Sequence, residues 1–130
     1  MLIDSDVLVW LTRGHPGASA RLKELPVWRI SAVTYIELAQ GCRDKAELTR
    51  LQGALRQPRT QIIPLSESIS ERAMHLIDRH ALGSGLQLGD ALIAATALEH
   101  SQSLLTGNTK HFIAIDGLSL ERFDPYADAG

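Results

Sequence analysis

Short apolar runs alternate with stretches of helical periodicity along the chain. Each run is four or five residues long and is followed by polar or turn-forming residues, a pattern typical of buried strands. We predict strands at Met1–Asp4, Val27–Ile30, Gln61–Leu65 and Ser103–Thr106, with Leu118–Leu120 as a candidate fifth strand.

Helices are predicted between these strands. Either Ser31 or Thr34 can cap the helix that carries Glu37, since Thr34 and Glu37 have the spacing of a capping box. Glycine-containing breaks at 14–17 and 83–85 indicate helix ends. The predicted helices are Val7–Leu11, a helix after Ser31, Asp44–Arg56 with leucines at helical spacing, a helix after a cap at Ser66, and about Leu88 to His100.

Strands that alternate with helices indicate an α/β fold. We predict a short central parallel sheet of four or five strands with helices on both faces. No repeat, linker or low-complexity segment divides the chain, so a single domain over residues 1–130 is predicted. Ligands of parallel sheets bind beyond the carboxyl ends of the strands, and candidate functional residues are sought there.

Composition narrows the class of protein. Hydrophobic residues make up 45% of the chain and the formal net charge is −2, which indicates a globular protein without a general attraction for nucleic acid. Cys42 is the only cysteine, which excludes an internal disulfide and suits a reducing compartment. The apolar run Ala91–Leu98 is far shorter than the ~20 residues that span a bilayer. We expect a cytoplasmic protein without membrane association.

Three acids lie where no basic residue neighbours them. Asp4 ends the first predicted strand, and Glu37 and Asp90 lie on predicted helices. At helical contact spacing from Glu37 and Asp90 there is no lysine, arginine or histidine. A buried carboxylate is costly unless it is paired or binds a metal, so we expect a cation from solution. Oxygen ligands suit Mg²⁺ or Mn²⁺.

Each acid also has a purely structural interpretation. Asp90 can complement the dipole of its helix, Glu37 can complete a capping box, and Asp4 can be an N-cap. The functional interpretation is favoured by the coincidence of all three acids with a fold that can bring them together. Spacing alone leaves both interpretations open.

Four successive segments resemble the motifs of a known family. They are Leu2–Leu8 (LIDSDVL), Ser31–Leu38 (SAVTYIEL), Gly89–Ala97 (GDALIAATA) and Leu104–Phe112 (LLTGNTKHF). In this order and spacing they are similar to those of the PIN domain, in particular to VapC-type toxins of bacterial toxin–antitoxin operons. The resemblance extends over nearly the whole chain. It implies a PIN-like α/β fold and a metal-dependent endoribonuclease.

The resemblance also implies roles for individual residues. Asp4, Glu37 and Asp90 correspond to the acidic residues that hold Mg²⁺ or Mn²⁺ and carry catalysis. Asp6 stands where many members have asparagine, which implies a supporting role. Asn108 stands where some PIN nucleases have a further aspartate, so a fully charged two-metal site is in doubt.

Several other residues are candidates for supporting roles. Thr34 and Thr106 can orient the acids by hydrogen bonds or can be caps. Asp116 can replace the acid missing at Asn108, although a solvated loop acid is the better interpretation. The five histidines lack metal-ligand spacing and are interpreted as surface or interface residues: His15, His75, His80, His100 and His111.

RNA, an antitoxin and a second copy of the chain are the partners that the resemblance implies. Hydrolysis of an RNA phosphodiester without a 2′-hydroxyl nucleophile would leave 5′-phosphate and 3′-hydroxyl ends. Arg50 and Arg56 lie in a basic stretch that either binds RNA phosphates or is a solvated helix face. A small antitoxin would occupy an apolar groove, and a homodimer is expected. Candidate groove residues, which can equally form the core, are Val7, Trp10, Leu11, Leu48, Leu51 and Leu55.

Other classes of function remain as alternatives. A PIN fold that has lost catalysis and serves as a binding module is supported by Asn108. Asp4-Ser5-Asp6 after a strand also resembles the nucleophile loop of haloacid-dehalogenase-like phosphatases, with Asp4 as nucleophile, but Ala94 stands where that family has a second acid. The sequence does not distinguish a ribonuclease from a DNA nuclease with the same acids.

Overall fold

Five parallel strands form one sheet in the order β3-β2-β1-β4-β5. The computed structural model of the chain describes residues 1–127, and six α-helices flank the sheet within them. The predicted α/β class and parallel sheet are confirmed. The strands are β1 (Leu2–Ile3), β2 (Trp28–Ser31), β3 (Thr60–Ile63), β4 (Leu104–Thr106) and β5 (Leu120–Arg122). The helices are α1 (Ser5–Thr12), α2 (Pro16–Lys23), α3 (Ala32–Gln40), α4 (Lys45–Leu55), α5 (Glu67–Ser84) and α6 (Leu88–Glu99).

The sheet is buried on both faces. Successive side chains of a strand point to opposite faces, so Leu2 and Ile3 belong to different cores, as do Leu104 and Leu105. One core lies under α5 and α6, and the other lies under α1, α2 and α4. The exposed strand residues lie in the edge strands β3 and β5, so the central strands are accessible chiefly at their ends.

The strand order reverses beside β1. From β1 the chain adds β2 and β3 on one side, and then crosses to add β4 and β5 on the other. Leu2 is in register with Arg29 of β2 and with Leu104 of β4. The carboxyl ends of β1 and β4 therefore flank a topological switch point, which is where sheets of this kind bind ligands.

The segment predicted as a break, residues 14–17, contains the start of a helix. Gly14 has a φ of +77° and ends the first helical segment, but Pro16 then begins α2. Proline suits the first position of a helix because the missing N–H has no intrahelical acceptor there. His15 caps α2, since its Nδ1 accepts a hydrogen bond from the backbone N–H of Ala18 at 3.1 Å.

Ser31 rather than Thr34 caps α3. The hydroxyl oxygen of Ser31 accepts a hydrogen bond from the backbone N–H of Val33 at 3.2 Å. Thr34 lies buried within the helix, so the capping-box interpretation of Thr34 and Glu37 was wrong. Glu37 consequently has no role at the start of its own helix.

Among residues 1–127, no helix combines the length and apolar character that crossing a bilayer requires.

Candidate active site

Asp4 lies at the junction of β1 and α1, and both of its carboxylate oxygens accept hydrogen bonds. Oδ1 accepts from the backbone N–H of Ser5 at 2.8 Å, and Oδ2 accepts from the hydroxyl of Thr106 at 2.7 Å. Thr106 ends β4, so the parallel pairing of β1 and β4 brings the two side chains together. Asp4 is only 5% exposed. Its carboxylate is thus buried in a fixed orientation at the switch point.

Asp6 extends from the first turn of α1 to the loop after β4. Its Oδ2 accepts a hydrogen bond from the backbone N–H of Gly107 at 2.8 Å. A Cβ on residue 107 would lie 2.7 Å from that oxygen, so this approach requires glycine. The other oxygen, Oδ1, is buried and has no hydrogen-bond partner within residues 1–127. A buried carboxylate oxygen without a donor is well placed to bind a cation.

Glu37 extends from α3 over the start of α6. A Cβ on Gly89 would lie 2.7 Å from Oε2 of Glu37, so the carboxylate occupies space that a side chain at residue 89 would fill. Partial burial raises the pKa of Glu37, and the neighbouring carboxylate of Asp90 raises it further. Glu37 and Asp90 are therefore within electrostatic reach of each other.

Asp90 lies in the first turn of α6, where it contacts the turn that follows β4. Its Oδ2 lies 3.1 Å from Nδ1 of His111, and it accepts a long hydrogen bond of 3.4 Å from the backbone N–H of Gln87. The same Nδ1 lies 3.0 Å from the side-chain amide nitrogen of Asn108. The structure thus brings Asn108 and His111 to Asp90.

Burial and neighbouring carboxylates at this edge of the sheet disfavour the ionisation of Asp4. Burial raises the pKa of Asp4 to about 7, and the charges of Asp6 and Asp90 add to the effect, whereas the hydrogen bonds from Thr106 and Ser5 oppose it. Burial also raises the pKa of Asp6, against the hydrogen bond from Gly107. Within the described part of the chain, no lysine or arginine forms an ion pair with Asp4, Asp6, Glu37 or Asp90. Negative charge is therefore left uncompensated here.

The side chains at this edge fit a divalent cation. Carboxylate oxygens are the donors that Mg²⁺ and Mn²⁺ accept, and the unpartnered oxygen of Asp6 leaves one of them free. No group of three His, Cys, Asp or Glu side chains in residues 1–127 is arranged to hold a metal ion by itself. Water or a substrate phosphate would have to complete the coordination, as is usual for Mg²⁺.

A cleft of about 790 Å³ lies beside Glu37, between α1, α3 and α4. Three arginines line it, Arg13, Arg43 and Arg50. Its apolar lining consists of Val9, Leu11, Leu38, Leu51 and Ala54. The cleft therefore combines positively charged and apolar surface, and Glu37 is among the residues that line it.

Other predicted residues lie apart from the acids. Thr34 is buried in α3, and its hydroxyl has no hydrogen-bond partner within residues 1–127, so it does not orient an acid. Arg56 follows the end of α4 and does not line the cleft. Asp116 is exposed in the loop before β5, in agreement with its interpretation as a solvated acid.

The sequence did not identify His111 as a residue of the site. It was interpreted as a surface or interface residue, but it contacts Asp90. Its position depends on a 3-10 helix, Thr109–His111, which follows Asn108. The one available signal was the three-residue separation of Asn108 and His111 after a strand end, which is too common to identify a site.

The chain is similar in sequence and structure to known proteins. A family model described as the PIN domain matches residues 1–118. Ribonuclease VapC10 of Mycobacterium tuberculosis is 38% identical over 120 residues, which cover 86% of this chain and 85% of that protein. A toxin–antitoxin complex from Klebsiella pneumoniae contains a chain with a TM-score of 0.76 and 33% identity, covering 96% of this chain and 97% of that one. VapBC2 from Rickettsia felis, bound to a promoter DNA fragment, shares the fold with a TM-score of 0.80 at 24% identity, covering 95% and 98%.

Proposed function

This chain belongs to the PIN domain family, and on that premise we propose that it is a metal-dependent endoribonuclease and the toxin of a toxin–antitoxin pair. The observation that carries the proposal is the edge of the sheet where the charges of Asp6 and Asp90 raise the pKa of buried Asp4, and where none of the three acids has a lysine or arginine partner in residues 1–127. The similarity to a ribonuclease supports RNA as the substrate. The match to the PIN domain family also argues against the phosphatase alternative, because buried Ala94 stands where that family of phosphatases has a second acid.

Asp4, Glu37 and Asp90 would hold the divalent cation, with Asp6 beside them. Mg²⁺ or Mn²⁺ at this position would polarise a phosphodiester and lower the pKa of bound water. Because burial raises the pKa of Asp4 to about 7, a proton competes with the cation for this carboxylate near neutral pH. Cation binding is therefore expected to strengthen as the pH rises through about 7.

Glu37 is the residue best placed to accept a proton from the attacking water. Glu37 lines the cleft, its carboxylate lies against Gly89 at the start of α6, and its raised pKa makes it a better general base than an ordinary glutamate. Attack by water on phosphorus, with departure of the 3′ oxygen, leaves a 5′-phosphate and a 3′-hydroxyl. The 2′-hydroxyl takes no part in this reaction.

The cleft beside Glu37 is proposed to bind the RNA strand. Arg13, Arg43 and Arg50 line it and can contact phosphates on one side of the scissile bond. Arg43 is also paired with Glu47, at 2.8 Å, which leaves Arg13 and Arg50 as the freer cations. Arg56 has no part in this proposed contact because it does not line the cleft.

A small antitoxin and a homodimer complete the proposal. The relative from Klebsiella pneumoniae was solved as a toxin–antitoxin complex, which supports an antitoxin for this chain. Met74 on α5 and Leu88 on α6 are 68% and 73% exposed and adjoin the same apolar surface, which supports a contact with a second copy. RNA as substrate and a single free cysteine support a cytoplasmic location.

Cleavage of a mixed RNA pool by the purified, antitoxin-free protein tests the proposed function. Cleavage is expected with Mn²⁺ or Mg²⁺ and not with EDTA, and Asp4→Asn and Asp90→Asn should each lower the rate at least about 100-fold. A second acid variant, Glu121→Gln, changes an acid that is already paired with Arg21 and should cleave like wild type. The ends of the products should be 5′-phosphate and 3′-hydroxyl.

Three outcomes would contradict the proposal in different ways. Protein that stays inert with either metal, although folded, would favour the binding-module alternative. Equal or faster cleavage of matched DNA would change the substrate class. Detection of 2′,3′-cyclic phosphate ends would remove water as the nucleophile.

A further inference from the structure

Two aromatic rings meet at the surface of the protein and form what we call the aromatic pair, Trp10 and Tyr126. Trp10 lies on α1, Tyr126 lies in the segment after β5, and their ring centroids are 5.9 Å apart with an angle of 82° between the ring planes. Tyr126 is 84% exposed. Because a perpendicular neighbour does not cover both faces of a ring, Tyr126 presents an open aromatic face to solvent.

The segment that carries Tyr126 is anchored to the rest of the protein. Nδ1 of His15 is the acceptor that caps α2, so Nε2 carries the proton and donates to the backbone oxygen of Pro125 at 2.8 Å. The backbone N–H of Tyr126 donates to Oδ1 of Asp124 at 2.9 Å. Phe123 is 6% exposed, and its ring centroid lies 6.0 Å from that of His15. The open ring is therefore held in place before a ligand binds, which lowers the entropic cost of binding.

This anchored segment starts at the candidate active site. The backbone N–H of Phe123 donates to the backbone oxygen of Thr106 at 2.8 Å, and a Cβ on Gly107 would lie 3.2 Å from the backbone oxygen of Phe123. The hydroxyl of Thr106 and the backbone N–H of Gly107 both donate to acids of the site. Tyr126 follows three residues later, so its Cα lies within about 11 Å of that of Phe123.

The helix α1 aligns an acid, an aromatic ring and a cation. Asp6, Trp10 and Arg13 are separated by four and three residues, so they share one face of the helix and its end, about one turn apart. The guanidinium carbon of Arg13 lies 5.9 Å from the centroid of the Trp10 ring, and Arg13 also lines the cleft. A base bound at the aromatic pair would thus lie close to both the carboxylates and a cation that can contact a phosphate.

The chemistry of this surface fits an unpaired nucleotide. Single exposed rings are common on protein surfaces, but this one is anchored and lies between acids and an arginine. Bases in a duplex are covered by their neighbours, whereas an unstacked base can lie flat on an aromatic side chain. We propose that Tyr126, held by Trp10, is a stacking subsite for one unpaired base near the scissile phosphate, so that RNA is cut in single-stranded or looped segments. This inference rests on the proposed function.

Binding of a short single-stranded RNA to the whole protein tests the subsite. Every protein compared carries Glu37→Gln, so that the RNA stays intact in Mg²⁺, and the protein with this change alone is the parent. Tyr126→Ala should weaken binding about fivefold or more, whereas Tyr126→Phe, which keeps the ring, should bind within about twofold of the parent. The slope of log affinity against log salt concentration should not change in Tyr126→Ala, because no charge is removed. Leu82→Ala, which removes a fully exposed apolar side chain on α5, is the control and should bind like the parent.

An RNA with one abasic nucleotide provides the direct signature of stacking. When the abasic nucleotide is moved along the RNA, one position should weaken binding to the parent but not to Tyr126→Ala, because the base there has lost the ring on which it stacks. Covering the same nucleotide in a duplex should also abolish the difference between the parent and Tyr126→Ala.

The outcomes separate the subsite from the proposed function. Equal affinities of Tyr126→Ala and the parent, or additive losses at every abasic position, would overturn the subsite and leave the proposed function intact. A parent protein without affinity for RNA would remove both RNA as the substrate and the subsite.

Discussion

At the amino-terminal end of the sheet the charged groups have partners, whereas at the carboxyl end the acids largely lack them. The N-terminal amine of Met1 donates to the side chain of Gln102, and Arg21 pairs with both Glu24 and Glu121. At the other end, burial raises the pKa of Asp4 and of Asp6, and the charges of Asp6 and Asp90 raise that of Asp4 further. The same sheet thus carries a compensated end and an uncompensated one.

The difference in charge pairing indicates that the carboxyl end of the sheet is the functional one. Folding alone favours paired charges, so a group of acids kept buried without cations is expected chiefly where a ligand supplies the missing charge. Small residues maintain the arrangement, since Gly89 makes room for Glu37 and Gly107 makes room for Asp6. Substitutions at the uncompensated end should therefore reduce activity much more than substitutions at the compensated end.

The largest effect is expected from Gly89→Ala. The added Cβ would lie 2.7 Å from Oε2 of Glu37 and would displace that carboxylate. Displacement by about 1 Å can lower a rate about 100-fold, so RNA cleavage should fall by roughly that factor while the protein stays folded. Gly53→Ala is the control, because a Cβ there meets nothing within 4 Å. It should stabilise α4 by about 0.5–1 kcal/mol without loss of activity, as measured by urea unfolding.

A smaller effect is expected from Thr106→Val. This change removes the hydrogen bond of 2.7 Å to Oδ2 of Asp4 and should lower the free energy of unfolding by about 1–3 kcal/mol. Because that bond lowers the pKa of Asp4, its loss should raise the pKa and shift the pH profile of cleavage to higher pH. Thr96→Val removes a buried hydroxyl that donates to the backbone oxygen of Leu92 at 2.7 Å and not to any acid of the site. A shifted pH profile in Thr96→Val as well would contradict a specific effect on Asp4.

The arginines of the cleft should influence RNA binding without affecting the acids. We expect Arg13 and Arg50 each to contact one phosphate. The double variant Arg13→Gln/Arg50→Gln should then have a slope of log affinity against log salt concentration that is smaller than that of wild type by about 1.4 for single-stranded RNA. Arg56→Gln should leave the slope unchanged, since Arg56 does not line the cleft. Equal slopes for all three proteins in a binding titration would exclude the cleft as the path of the RNA.

The smallest effect is expected at the compensated end. Glu121→Gln removes one partner of Arg21 from a half-exposed ion pair, which should cost no more than about 1 kcal/mol in urea unfolding. Cleavage should be unchanged because Glu121 belongs to the other end of the molecule. A loss of activity comparable to that of Gly89→Ala would remove the distinction between the two ends.

The parallel sheet and its two helical layers were predictable because apolar periodicity is a local property of the chain. The helix α2 was not, since Gly14-His15-Pro16-Gly17 was interpreted as a break, although Pro16 is a helix start. The candidate fifth strand, Leu118–Leu120, begins two residues before the observed β5, Leu120–Arg122, and shares only Leu120 with it. Strand ends depend on pairing with neighbours, which local pattern does not contain.

The site was predictable only where residues mark the ends of elements. Asp4 follows a strand and Asp90 begins a helix, so both could be placed at the carboxyl edge of the sheet. The contact of Asp6 with Gly107 depends on how β1 and β4 align, and that of His111 with Asp90 depends on a 3-10 turn. Thr34 is the opposite case. From the sequence it could cap α3 or orient an acid, but Ser31 caps α3 one turn earlier and the hydroxyl of Thr34 has no hydrogen-bond partner within residues 1–127.

The free energy of unfolding as a function of pH tests the uncompensated end most directly. Burial raises the pKa of Asp4 from 3.8 to about 7, so the folded protein holds the proton more tightly than the unfolded chain. In EDTA the free energy of unfolding of wild type should therefore fall as the pH rises from about 4 to about 7 and then level off, by an amount on the order of 4 kcal/mol from this group. Asp4→Asn should lack that fall, and Mn²⁺ should abolish it in wild type. Identical pH dependence in wild type and Asp4→Asn, or no effect of Mn²⁺ on wild type, would contradict a cation site at this end of the sheet.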